Sequence, residues 1–185
     1  SIGRLAKQKG YEYLLPSFKE VVRQLKNVKL LIFGPDQSNG FYQNLARELK
    51  LDNSVIFCGV KENIYEILAQ ADMFVSASLW EGLPRGHVEA CLCQCPVVST
   101  DIPGSIEVIT HNVNGWLVPP ENSEGLADAL LHLLNNPKLC SCFTEEGLRV
   151  VKNKFDIKKK NERLERLYVS LLTEKGKIFS NYEKK

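Results

Sequence analysis

Short apolar runs that end in glycine or serine alternate along this chain with stretches whose apolar residues recur at helical spacing. That alternation leaves few folds open. The runs "VKLLIFG" (28–34), "SVIFCG" (54–59), "MFVSAS" (73–78), "PVVST" (96–100) and "GWLVPP" (115–120) read as strands. Between them, "YEYLLPSFKEVVRQL" (11–25), "FYQNLARELKL" (41–51) and "IYEILAQA" (64–71) read as helices. A further helix begins near Gly86, and a short one is expected around Ile106–Ile109 after a Pro/Gly turn. Leu126, Leu130, Leu131 and Leu134 form one face of another, with Asn135, Asn136 and Pro137 as its stop signal. Strands that are apolar on both faces need helices on both sides, so the spacing predicts an α/β fold, a doubly wound, mostly parallel, Rossmann-like sheet. Residues 1–154 make up that domain. From about Phe155 the chain is lysine-rich, with Leu164, Leu167, Leu171 and Leu172 at helical spacing. A terminal helix is expected over 155–174 and a polar tail over 175–185.

Composition removes several classes of function. A formal net charge of +2, without a basic stripe interleaved with aromatics, argues against a nucleic-acid partner. No apolar run approaches the roughly 18–20 residues needed to span a bilayer, and "KKKNER" reads as a solvated face. Three of the six cysteines crowd into "CLCQC", where neighbours two apart cannot easily bridge. They read as small apolar thiols of a reducing, cytoplasmic setting rather than disulfides or a metal site. The opening "SIGRL" looks like the last step of a strand, and the only methionine is Met73, so a piece cut from a longer chain is expected.

In a sheet of this kind ligands bind at the carboxyl ends of the strands, which directs attention to the loops after Gly3, Gly34, Gly59, Ser78 and Thr100. The first, "GRLAKQKG", has neither the glycine fingerprint of dinucleotide folds nor a P-loop, which argues against a nicotinamide-dependent oxidoreductase. It carries two cations instead, Arg4 and Lys9, beside the start of a helix. That is what a diphosphate needs where no metal neutralises it, and no Asp-x-Asp pair is present to hold one. In the fourth loop, "SLWEGLPRGHVEACLC" places Glu81 before a Gly/Pro-broken turn and Glu89 early in the helix that follows. An ionised carboxylate only accepts hydrogen bonds. It repels phosphate but takes both hydroxyls of a vicinal diol. Cations on one rim and carboxylates on the other suit a ligand with phosphate in the middle and diols at both ends, a nucleoside diphosphate sugar. Glu89 would hold the ribose and Glu81 would face the sugar.

"GRLAKQKG", "EGLPRGHVEA", "CPVVSTDIPGSIEVI" and "NGWLVP" together resemble the signatures of retaining glycosyltransferases of the GT-B fold, family 4 or group 1, from about Gly3 to Leu172. The chain is similar to their carboxyl-terminal, donor-binding half. The resemblance implies Gly3, Arg4 and Lys9 at the diphosphate and Glu89 on the ribose. It places Glu81 with the backbone of Gly82, Leu83 and Pro84 at the transferred sugar, and Gly59 and Val60 beside the base. Arg4, Lys9 and Glu81 would carry the chemistry, moving a hexosyl or N-acetylhexosaminyl group. No cofactor or metal is implied beyond the UDP- or GDP-sugar substrate. The glycan or lipid-linked acceptor would be held by an amino-terminal domain that this chain lacks, with room for peripheral contact at the cytoplasmic face of a membrane. The isolated chain would then bind donor without transferring it. The competing reading is a non-catalytic nucleotide-sugar-binding subunit or sensor.

The chain departs from the family pattern at two places. Gln94 stands where glycine is usual, which costs roughly 1 kcal/mol if the backbone there is left-handed. Gly86 and His87 stand where bulky apolar residues are common, and His87 reads as a helical histidine turned to its neighbours.

Overall fold

The computed structural model describes residues 1–182, which divide into two compact units, Ser1–Val151 and the described residues from Lys152 onward. In the first, a 3-10 turn at Lys7–Lys9 leads into α1 (Tyr11–Gln24), β1 (Leu30–Phe33), α2 (Phe41–Glu48) and β2 (Val55–Gly59). There follow α3 (Ile64–Leu68), β3 (Phe74–Ser76), α4 (Arg85–Leu92), β4 (Val97–Thr100) and α5 (Pro103–Ile106). The series continues with β5 (Trp116–Val118), α6 (Ser123–Leu134) and α7 (Pro137–Lys154). Every strand expected from the sequence is present and every pairing is parallel.

The strands form two ladders, β1–β2 and β3–β4–β5, rather than one unbroken sheet. The opening residues lie along the free edge of β1. Gly3 N–H donates to Phe33 O (2.8 Å), Phe33 N–H to Ser1 O (2.9 Å) and Leu5 N–H to Pro35 O (2.9 Å). These contacts amount to isolated bridges, Ile2 to Phe33 and Leu5 to Asp36, too short to carry hydrogen bonding across to β3.

β3 and β4 are buried on both faces and read as unbroken apolar runs, whereas β2 keeps only Val55 buried. Val97, Val98, Ser99 and Thr100 are all buried in β4. Tyr11, Leu14, Leu15, Phe18 and Val21 of α1 pack with Leu126, Ala127, Leu130 and Leu133 of α6 in the main core. Two helices differ from expectation. α5 begins three residues early, at Pro103, because a proline at the first helical position presets φ and loses no needed N–H donor. The same physics explains α7: Pro137, read as a stop after α6, starts the next helix, which buries Phe143, Gly147 and Val151.

The second unit is dominated by α8 (Ile157–Tyr182), which extends beyond the terminal helix expected over 155–174. Leu164, Leu167, Leu171 and Leu172 are exposed on it. Residues 183–185 of the expected tail lie outside the described residues. Among the described residues, no helix is long and apolar enough to cross a membrane.

Candidate functional site

A cleft of about 680 Å3 opens where the loops leave the carboxyl ends of the strands. Gly3, Arg4 and Lys9 form one wall, and Glu81, Leu83 and Pro84 another. Arg85, Gly86, His87 and Glu89 enter from α4, and Val60 and Lys61 close the side next to β2. Residues as far apart in sequence as Arg4 and Glu89 therefore line one cleft. Gly59 and Gly82 do not line the cleft. Gly59 turns the chain at φ 64°, and Val60, 70% exposed, takes the place beside the cavity.

The charges are not segregated onto opposite rims, as the sequence reading has them. Lys9 Nζ donates to Glu81 Oε1 in a salt bridge whose side chains are only 20% and 10% exposed. Glycine at position 3 makes this possible, since a Cβ there would stand 2.6 Å from Lys9 Cε. Ser78 Oγ donates to the same carboxylate oxygen at 2.9 Å. The second glutamate has its own cation: Arg85 Nη2 lies 4.0 Å from Glu89 Oε1, with Arg85 86% exposed and Glu89 17%. The first contact is short and half-shielded. The second joins a solvated arginine and is worth little to stability.

Gln8 was not singled out from sequence. Its Oε1 accepts from Arg4 Nη2 at 3.0 Å, while its Nε2 donates to Trp80 O at 2.9 Å and reaches Glu81 Oε2 at 3.5 Å. One amide thus holds a cation on one side and the glutamate loop on the other. The main chain repeats the tie, with Leu79 N–H donating to Gln8 O at 2.8 Å. Lys61 and Arg85 are the other cations missed. Their only signal was position, in loops already marked for the cleft.

α4 enters the cleft amino end first, with Pro84 as its N-cap and no side-chain cap on its leading N–H groups. Those N–H groups and the helix dipole favour an anion there. His87 points away from solvent. Its Nε2 lies 2.6 Å from Ser99 Oγ, and its ring packs edge-on against Phe74 at 5.6 Å. Burial first, and then the Lys9 charge, hold its pKa down at about 3, so the ring is neutral. It is the helical histidine turned to its neighbours that the sequence indicated. His111 accepts from Leu117 N–H at 3.1 Å, and both His111 and His132 pack against Trp116. All six cysteines are free thiols, and burial pushes those of Cys91 and Cys95 up to about 12. Among the described residues, no three His, Cys, Asp or Glu side chains gather as a metal-ligand set.

Residues 1–150 match the sequence model of the family "Glycosyl transferases group 1". The chain belongs to the group 1 glycosyltransferases. It is 39% identical over 115 residues to an uncharacterized glycosyltransferase of Methanocaldococcus jannaschii, covering 62% of this chain and 28% of that one. It is 27% identical to the capsular polysaccharide biosynthesis glycosyltransferase CapM of Staphylococcus aureus, over 94% of this chain and 46% of CapM. Among solved structures it resembles a mutant of S. aureus TarM in complex with fondaparinux, α-GlcNAc-glycerol and UDP. That likeness has a TM-score of 0.85 and 26% identity, and covers 90% of this chain and 34% of TarM. This group 1 glycosyltransferase chain thus spans less than half the length of these relatives.

Proposed function

We propose that the cleft binds a nucleoside diphosphate sugar and that the glycosyl group is transferred from it with retention at the anomeric carbon. The observation that carries this reading is the gathering of Arg4, Lys9, Glu81 and Glu89 on one cleft at the strand ends, beside the uncapped amino end of α4. The diphosphate lies against Lys9, Arg4 and the leading N–H groups of α4. The distal sugar meets Glu81, and the ribose meets Glu89. Val60 and Lys61 flank the base, and the UDP in the TarM complex supports uracil there. During transfer the bond between the anomeric carbon and the diphosphate oxygen breaks. The acceptor oxygen bonds to that carbon on the same face, and its proton leaves with the diphosphate. Charge grows on the diphosphate as the bond lengthens, and cations already fixed around it lower the barrier without reorganising. Glu81 keeps the sugar oriented as this happens. The acceptor, a glycan or a lipid-linked glycan, is held by a part of the protein outside these residues.

The test is a melting experiment on the 185-residue chain with UDP-, GDP- and ADP-sugars. A donor at 100 times its Kd stabilises the fold by about 2.7 kcal/mol, roughly 5–10 °C for a chain of this size. Lys9→Ala and Glu89→Ala should each remove most of that shift. In the complete enzyme Glu81→Ala should lower turnover more than affinity. No shift with any of the three donors would overturn the reading of the site. Transfer to an acceptor by the isolated chain would overturn the assignment of the acceptor site elsewhere.

A further inference from the structure

A buried polar knot lies directly beneath the cleft. His87 Nε2 is 2.6 Å from Ser99 Oγ on β4 and 3.4 Å from Ser105 Oγ on α5, and the two serine oxygens are 3.0 Å apart. All three residues are at most 1% exposed. His87 Nδ1 is buried with no hydrogen-bond partner. A bare ring nitrogen left unpaired is a smaller penalty than an unpaired N–H, so the proton belongs on Nε2 and points at Ser99. Ser99 Oγ then donates onward to Thr100 O at 3.3 Å.

Two routes lead from this knot to the glutamates. Thr100 Oγ1 donates to Ser78 O at 2.5 Å, and Ser78 Oγ donates to Glu81 Oε1. On the second route, Ser105 follows Gly104, whose missing Cβ would stand 2.5 Å from Glu81 O, so α5 is seated against the Glu81 main chain. Glu89 lies two residues beyond His87 on α4 itself. Gly86 lets the ring settle here, since a Cβ at that position would crowd Phe74 Cζ at 3.0 Å. The neighbouring departures Gly86 and His87 are thus a matched pair.

We propose that His87 is a positioning residue of the cleft, tying the first turn of α4 through Ser99 and Ser105 to the segment that seats Glu81. It fixes the spacing between the two glutamates. Its importance for donor binding rests on the function proposed above, but the tie itself does not. The variants are His87→Leu, which removes the donor, His87→Gln, which restores an N–H near Nε2, and Ser105→Ala, which cuts the link to α5 while keeping the ring.

Hydrogen exchange of the ligand-free chain is read first. His87→Leu should speed exchange across Ser78–Glu89 at least fivefold relative to α6, Ser105→Ala should act in the same direction, and His87→Gln should leave it near the parent. UDP affinity, measured where all variants are folded, should fall at least fivefold in His87→Leu and stay within twofold in His87→Gln. A purely packing role would lower the melting temperature while leaving both the segment's relative exchange and the UDP Kd unchanged, and that result overturns the proposal. So does a His87→Gln variant that behaves like His87→Leu. Should His87→Leu not fold, an unaltered exchange pattern in Ser105→Ala is the overturning result. If the parent binds none of UDP, GDP and ADP, the proposed function falls while the exchange arm still decides the role of His87.

Discussion

The neutral His87 ring makes stability depend on acid in a way that can be isolated. The unfolded chain carries an ordinary histidine, with a pKa near 6.5, whereas burial and then Lys9 hold the folded ring at about 3. Below pH 6.5 the unfolded state takes up a proton that the folded state refuses. The ring's contribution is therefore complete above pH 6.5 and is lost as pH falls toward 3. Between pH 7.5 and pH 5.0 this amounts to about 2 kcal/mol. Other groups titrate across part of the same range. The Ser1 amine, for one, is held at about 5 by burial. The useful quantity is therefore a difference. Urea unfolding of the parent and of His87→Leu at both pH values should show the parent losing about 2 kcal/mol more than the variant on acidification. Equal losses in the two proteins would mean that the ring is not held neutral in the folded chain, and would refute the burial argument for its lowered pKa.

Two further substitutions test backbone rather than charge. Gln94 follows α4 with φ 54°, and the bonds Gln94 N–H to Cys91 O (3.1 Å) and Cys95 N–H to Ala90 O (2.9 Å) form a Schellman cap around it. Gln94→Gly should raise stability by about 1 kcal/mol, or roughly 2–4 °C by scanning fluorimetry, and a lower melting temperature would show that the left-handed strain is not there to relieve. Gly104→Ala would place a Cβ 2.5 Å from Glu81 O. It should lower unfolding free energy by about 1–3 kcal/mol and reduce the gain of UDP-glucose over UDP as Glu81 shifts, while an unchanged ratio of the two Kd values would show slack between α5 and the glutamate loop.

What the sequence disclosed divides along a physical line. The strands were legible as short unbroken apolar runs, β3 and β4 because both their faces are buried, and Arg4, Lys9, Glu81 and Glu89 were legible because strand-end loops are few. Gln94 was marked by the residue type its backbone needs, and φ 54° agrees. Asn135, Asn136 and Pro137 do close α6 as read, but the start of α7 at Pro137 was missed because a proline stops one helix by the same property that lets it start another. Gln8 left no pattern at all. It matters through one amide placed between Arg4 and Trp80, 72 residues along the chain from the carbonyl it holds.

The least legible feature was the pairing of Lys9 with Glu81, and it bears on how a ligand enters. In the ligand-free cleft each charge already has a partner, so neither is left uncompensated at a half-buried position. A bare phosphate drawn to Lys9 would displace Glu81 and then face its repulsion. A bare sugar offered to Glu81 would compete with an ammonium at contact distance. A ligand presenting an anion and hydroxyls together, spaced as in a sugar diphosphate, supplies Lys9 and Glu81 with replacement partners in one step. The pair thus disfavours either half alone, so UDP-glucose should gain more over UDP in the parent than in Glu81→Gln, where the amide no longer demands a cation. Equal gains in the two proteins would show that the pair does not discriminate.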